Sequence, residues 1–218
     1  MKCTSKKQNV SKGTLNSLDK VELSEKNHNI LENVRRSSRG PRYWQDRKPE
    51  ESRDALALEQ ISNGRISIKE IDATEALQII MFMKTLVPLQ PNSKGKLEVA
   101  DGVILGLTYR KEAVILPQPG YSYVQILSPN NIWHANVGEL RDGQPLCLGD
   151  KLPAAIPIKE IVLMTYGALS MQTIMINEMD SSGVLNPTAA KWWQHNLDKI
   201  PLSKEPFIRT DSSNSVTG

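Results

Sequence analysis

One cysteine and one histidine lie close together in the stretch SPNNIWHANVGELRDGQPLCLGD, residues 128–150. Cys147 stands between two leucines, and His134 precedes it in a His-Ala-Asn triplet. A cysteine thiolate is a strong nucleophile, and a thioester formed on it stays reactive toward amines, so Cys147 suits acyl transfer. His134 could act as a general base for that thiol, as in a Cys-His hydrolase. The alternative without chemistry is that Cys147 is a small buried apolar residue.

Several segments predict the strands that would position this stretch. The apolar run 77–87 fits either a buried strand or a buried helix, and its periodicity does not decide between them. Pro88 and the polar PNSKGK loop after it favour a strand that ends in a hairpin. Residues 102–110 and 121–129 predict two more strands from their β-branched and aromatic content. The LPQPG connector between them is rich in turn residues.

Three segments predict helices around these strands. A helix over 49–62 should begin at Pro49 and end before Asn63-Gly64. Residues 157–172 carry apolar residues on nearly every side, which predicts a helix buried on most faces. Asn186-Pro187 is a favourable N-cap and N1 pair for a helix over 187–200. The order of elements predicts an α+β fold, an antiparallel meander of about four strands packed against helices.

Composition divides the chain into three parts. Residues 1–50 hold 12 Lys/Arg against 6 Asp/Glu, and the rest holds 15 against 18. We therefore expect a disordered basic tail over 1–45, a domain over 46–205 and a flexible C-terminal tail over 206–218. The chain has two cysteines, too few for a disulfide framework, and no apolar run of membrane length. These features predict a cytoplasmic protein without membrane or specific nucleic-acid binding.

Three motifs, in order, resemble the ubiquitin-conjugating enzymes over roughly 96–197. The segment GVILGLTYRKEAVILPQPGYSYVQILSP is similar to the strands and proline-rich corner of that family. His134-Ala135-Asn136-Val137 resembles its His-Pro-Asn-hydrophobic tetrad, with the cysteine segment LCLGD after it. VLNPTAAKWWQHN, residues 184–196, resembles the segment that opens the next helix. Ala135 replaces the usual proline, the segment before Cys147 is longer, and a tryptophan expected after it is absent, as in divergent bacterial members.

The resemblance implies a role for each site residue. Cys147 would carry a ubiquitin-like modifier as a thioester, and Asn136 would donate to the oxyanion or brace its loop. His134 would brace the active-site loop, with Trp133 as the aromatic residue before it. Asp180 would assist the acceptor amine. The same loop supplies three alternatives to Asp180: Glu178, Ser181 and Ser182.

The resemblance also implies partners. These are a ubiquitin-like modifier, an adenylating activating enzyme and a protein or other amine substrate, in a prokaryotic pathway such as antiviral defence. No cofactor or metal is expected, because Cys147, His134 and His195 are poorly spaced for zinc and no Gly-rich phosphate loop occurs. The leading alternative is a non-catalytic module of the same fold that binds a modifier. The second is a hydrolase that uses Cys147 and His134.

Overall fold

The computed structural model describes residues 18–139, 143–177, 179–180 and 183–208. The strands are β1 (Ile66–Asp72), β2 (Leu77–Leu89), β3 (Glu98–Tyr109), β4 (Gln118–Pro119), β5 (Val124–Ser128), β6 (Gln144–Leu146) and β7 (Lys151–Leu152). Five of them form an antiparallel sheet in the order β1-β2-β3-β5-β6, and β4 pairs with β7 in a separate ribbon. The α-helices are α1 (Glu25–Ser37), α2 (Arg42–Ile61), α3 (Glu112–Ile115), α4 (Ile158–Leu169) and α5 (Pro187–Gln194). The predicted α+β class is confirmed.

Alternating burial explains the long β2–β3 hairpin at the centre of the sheet. Leu77, Ile79 and Met81 of β2 are fully buried, whereas Gln78 between them is exposed, so one face of the strand meets the core. All three predicted strands are confirmed, although β3 begins earlier and the third strand later than expected. Strand β1 was not predicted, because its charged second half hides its alternation.

Residues 18–45 are folded, so the predicted disorder over 1–45 is wrong for this part. Leu31 and Val34 of α1 are buried, and Ser24 caps the helix by accepting a hydrogen bond from the Asn27 N–H at 3.3 Å. Trp44 is buried and stacks on Tyr109, with ring centroids 5.9 Å apart. A few apolar residues on one face are sufficient because α1 packs against α2. Residues 1–17 lie outside the described residues.

Helix α2 begins at Arg42, not at Pro49 as predicted, although its end at Ile61 agrees with the prediction. Pro49 lies inside the helix although it has no backbone N–H to donate. The preceding turn is held by Lys48, which is fully buried and donates to the carbonyl oxygens of Arg39 at 2.9 Å and Thr74 at 3.1 Å. These tertiary contacts outweigh the local cost of the proline.

Helix α4 is buried on most of its surface, as predicted, and packs against α2 and β2. After α5 the chain returns across the end of α4, where Phe207 is buried and packs edge-on against Tyr166 with centroids 5.3 Å apart. The predicted flexible tail over 206–218 therefore begins too early, and residues 209–218 lie outside the described residues. In the described part of the chain, every helix is too short or too polar to traverse a lipid bilayer.

Candidate active site

The turn 133–137 follows β5 and is fixed by backbone contacts to two distant elements. The Trp133 N–H donates to the Pro88 carbonyl at 2.8 Å, at the end of β2. The Trp133 carbonyl accepts from Nε1 of Trp193 at 2.8 Å, and Trp193 lies fully buried on α5. The neighbouring Trp192 is half-buried. The turn therefore joins the sheet to the C-terminal helix.

His134 is fully buried, and both of its ring nitrogens are hydrogen-bonded to backbone groups. Nε2 donates to the Ala168 carbonyl at 2.9 Å, near the end of α4, and Nδ1 accepts from the Asn136 N–H at 3.0 Å. This network assigns the neutral tautomer with the proton on Nε2. Burial lowers the pKa of His134 to about 4, although the bond to Ala168 acts in the opposite sense. The geometry supports a bracing role and leaves no nitrogen to take a proton from Cys147.

The pKa of His134 predicts a loss of stability in mild acid. The unfolded chain takes up a proton near pH 6.5 and the folded chain near pH 4, so the free energy of unfolding falls as pH drops through this window. The contribution of this residue amounts to roughly 3 kcal/mol. Burial raises the pKa of Glu51, which acts in the opposite sense. The check is therefore urea unfolding from pH 7 to 4 with an NMR titration of the His134 ring, and ring titration near pH 6.5 contradicts the prediction.

The turn and the cysteine segment pair with each other as a short antiparallel ladder. The Cys147 N–H donates to the Asn136 carbonyl at 2.8 Å, and the Gly138 N–H donates to the Pro145 carbonyl at 2.9 Å. Val137 and Leu146 form the bridge between these two bonds. The longer connection between Asn136 and Cys147 therefore closes a hairpin, of which residues 140–142 lie outside the described residues.

Cys147 lies at the end of this ladder with 5% of its surface exposed. Its thiol donates to the Gly149 carbonyl, with 3.3 Å between Sγ and the oxygen. Burial raises the pKa of the Cys147 thiol, and the negative charges of Asp150 and Asp180 add to the rise. The thiol is therefore predominantly protonated at neutral pH.

The Asn136 side chain is buried and binds the loop that follows α4. Nδ2 donates to the carbonyls of Gly183 at 2.7 Å and Met175 at 3.2 Å, and Oδ1 accepts from the Met175 N–H at 3.1 Å. Both amide hydrogens are thus engaged by backbone oxygens, which supports the bracing role among the two roles expected for Asn136.

The neighbouring Ala135 supplies a second brace, which the sequence analysis missed. Its carbonyl accepts from the N–H groups of Leu185 and Asn186, both at 2.9 Å, just before α5. The Asn186 side chain caps α5 as predicted, accepting from the Ala189 N–H at 2.9 Å. A backbone carbonyl carries no signal in the sequence, so only the folded chain reveals this contact.

Asp180 lies half-buried in the loop between α4 and α5, close enough for its charge to act on the Cys147 thiol. Its carbonyl accepts from the Val184 N–H at 3.1 Å and its N–H donates to the Asn177 carbonyl at 2.9 Å. The fold thus brings Asp180, Asn136 and Cys147 to one region. The alternatives Glu178, Ser181 and Ser182 lie outside the described residues.

The arrangement combines a thiol, a carboxylate and a braced amide at the junction of the sheet with the loop before α5. Among the described residues, no group of three or more His, Cys, Asp or Glu side chains is placed to hold a metal ion. Comparison of the chain with protein-family models, with curated proteins and with solved structures finds no match in any of the three.

Proposed function

We propose that this chain is a ubiquitin-conjugating-like enzyme with a UBC-like fold. It carries a ubiquitin-like modifier as a thioester on Cys147 and transfers it to an amine acceptor. The observation that carries the proposal is the direct bond from the Cys147 N–H to the carbonyl of Asn136, within the tetrad that resembles the family's. This bond supports the interpretation that the tetrad and the cysteine form one structural unit. The order of α2, meander, tetrad, cysteine, α4 and α5 also agrees with the resemblance.

The first step is exchange between two sulfur atoms. The Cys147 thiol loses its proton to solvent, and the thiolate attacks the carbonyl carbon of the modifier's C-terminus, which is bound to a cysteine of the activating enzyme. A new S–C bond forms, the bond to the activating enzyme's sulfur breaks, and that sulfur takes up a proton. The exchange converts one thioester into another of similar energy, so a base as strong as a free imidazole is not required.

The second step is attack by the acceptor amine on the thioester of Cys147. The N–C bond forms, the S–C bond breaks, and the nitrogen loses one proton as the thiol of Cys147 regains one. Asp180, close to Cys147, can orient the amine and take its proton. Asn136 holds the surrounding loop, and it can donate to the oxyanion only by releasing a backbone carbonyl, for which the longer bond to Met175 is the candidate.

A non-catalytic module that binds a modifier is the second candidate. It is favoured by the small exposed fraction of Cys147, 5%, and by the raised pKa of its thiol. The hydrolase alternative lacks support, because both ring nitrogens of His134 are bonded to the backbone at Ala168 and Asn136. We therefore retain conjugation as the proposal and modifier binding as its competitor.

A reconstituted transfer assay separates these two candidates. The full chain is mixed with a ubiquitin-like modifier, its activating enzyme and ATP, and samples are run with and without reductant. Conjugation predicts an adduct that reductant removes and that the Cys147→Ala variant does not form. A modifier-binding module instead predicts co-elution of the two proteins without an adduct, which would overturn the proposal. The proposed setting is the bacterial cytoplasm, with a protein or other amine as the acceptor.

A further inference from the structure

The carbonyl of Gly149 accepts hydrogen bonds from two sides of the candidate site. The Cys147 thiol donates to it at 3.3 Å, and the Gly120 N–H donates to it at 3.1 Å. Gly120 directly follows β4, and β4 pairs with β7, where Pro119 lies opposite Lys151. The ribbon of β4 and β7 therefore brings the connector before β5 against the backbone next to the cysteine.

Gly120 has no room for a side chain at this contact. A Cβ at position 120 would lie 2.7 Å from the Gly149 nitrogen and closer still to its carbonyl oxygen, distances at which the backbone must shift. Among the residues that the structure describes, a Cβ on Gly149 would meet nothing within 4 Å, so the other side of that residue is open. Gly149 also has a positive φ of 131°, which favours glycine. The Gly149 carbonyl is thus held from the side of Gly120.

We infer that Gly120 is a positioning residue for Cys147. Because position 120 lacks a Cβ, the Gly149 carbonyl can approach closely and hold the thiol in its buried orientation. This inference rests on the proposed function only for its consequence in transfer, since the position of the thiol is a property of the chain alone. In the sequence, Gly120 is the last of the turn residues in the LPQPG connector.

The shared carbonyl keeps one donor when the sulfur reacts. An acylated Cys147 has no S–H to donate, so Gly149 loses that bond and retains the N–H of Gly120. The loop from 147 to 150 then stays attached to the connector through that bond. Gly120 therefore holds the same backbone before and after loading.

Gly120→Ala tests this inference in a Cys3→Ser background, where Cys147 is the remaining cysteine. The matched control is Gly106→Ala, because the atoms nearest to a Cβ there belong to the Leu127 side chain and lie at 3.7 Å or more. We expect Gly120→Ala to increase the rate of Cys147 alkylation by iodoacetamide at pH 7.5 at least about fivefold and to lower its apparent pKa, since displacement exposes the thiol. Asp150 and Asp180, whose charges act on this thiol, are unchanged in both variants.

Equal alkylation rates and pH profiles in the two variants would overturn the inference. If Gly120→Ala does not fold, hydrogen exchange at the Gly120 amide of the unmodified chain decides instead. Protection that persists after alkylation of Cys147 is expected, and exchange as fast as in an unbonded loop amide contradicts the contact. With an activated modifier, the folded variant should load at least about tenfold more slowly than Gly106→Ala. Altered alkylation without loading of the parent chain would contradict the proposed function and leave the inference intact.

Discussion

Replacing His134 with alanine is expected to lower the free energy of unfolding by about 3–5 kcal/mol. The substitution removes a fully buried ring and leaves the Ala168 carbonyl and the Asn136 N–H without their partner. A cavity forms at the same place, between the end of α4 and the turn that pairs with Cys147. Urea unfolding followed by tryptophan fluorescence at pH 7 measures the effect.

His28→Ala is the matched control for this prediction, since His28 is exposed on α1 and far along the chain from the turn. It should change the free energy of unfolding by less than about 0.5 kcal/mol. A His134→Ala chain as stable as the control, but defective in chemistry at Cys147, would contradict the bracing role. That result would instead support His134 as a general base for the Cys147 thiol.

Asn136→Ala should have the second large effect, acting on both stability and transfer. Three hydrogen bonds to the backbone at Met175 and Gly183 are lost, and we expect the free energy of unfolding to fall by about 2–4 kcal/mol. The loop that carries Asp180 loosens, and any donation to the oxyanion is lost with the amide. Discharge of the thioester to an added amine should slow about 100-fold in folded protein.

Asn92→Ala provides the comparison for Asn136→Ala. Asn92 also binds the backbone through its side chain, accepting from the N–H groups of Lys94 and Lys96 at 3.0 and 3.1 Å. It lies exposed in the loop between β2 and β3, away from the tetrad. Unfolding by urea and single-turnover discharge are measured for both variants. Equal behaviour of the two would show that Asn136 neither braces the loop nor assists transfer.

The sequence predicts correctly those helices and strands that have a recognisable capping pair or a continuous apolar run. Asn186-Pro187 fixed the start of α5 in advance, and the apolar run from 77 identified β2. Helix α1 was not predicted, because its apolar side is narrow, consists of Leu31 and Val34, and is surrounded by polar residues. The start of α2 was predicted too late, because Pro49 is typical of a first turn. The helix instead begins before Pro49, where the buried Lys48 side chain contacts the backbone.

The residues of the candidate site could be predicted from the sequence, but the contacts that hold them could not. The resemblance, through its order of motifs, predicts four candidate site residues: Cys147, Asn136, His134 and Asp180. Their partners could not be predicted, because hydrogen bonds to the carbonyls of Ala168 and Gly183 depend on how distant segments fold together. The contact of Gly120 with Gly149 is a further case, since absence of a Cβ has meaning only once its neighbour is known.

Intact-mass spectrometry of Cys147 after incubation with a charged activating enzyme tests the central claim most directly. The full chain should gain the mass of one modifier less one water, and dithiothreitol should remove it. The Cys147→Ser variant should gain the same mass over its unloaded form, as an ester that resists dithiothreitol. An unmodified wild-type chain beside a competent control conjugating enzyme, or an adduct on a residue other than Cys147, would contradict the account.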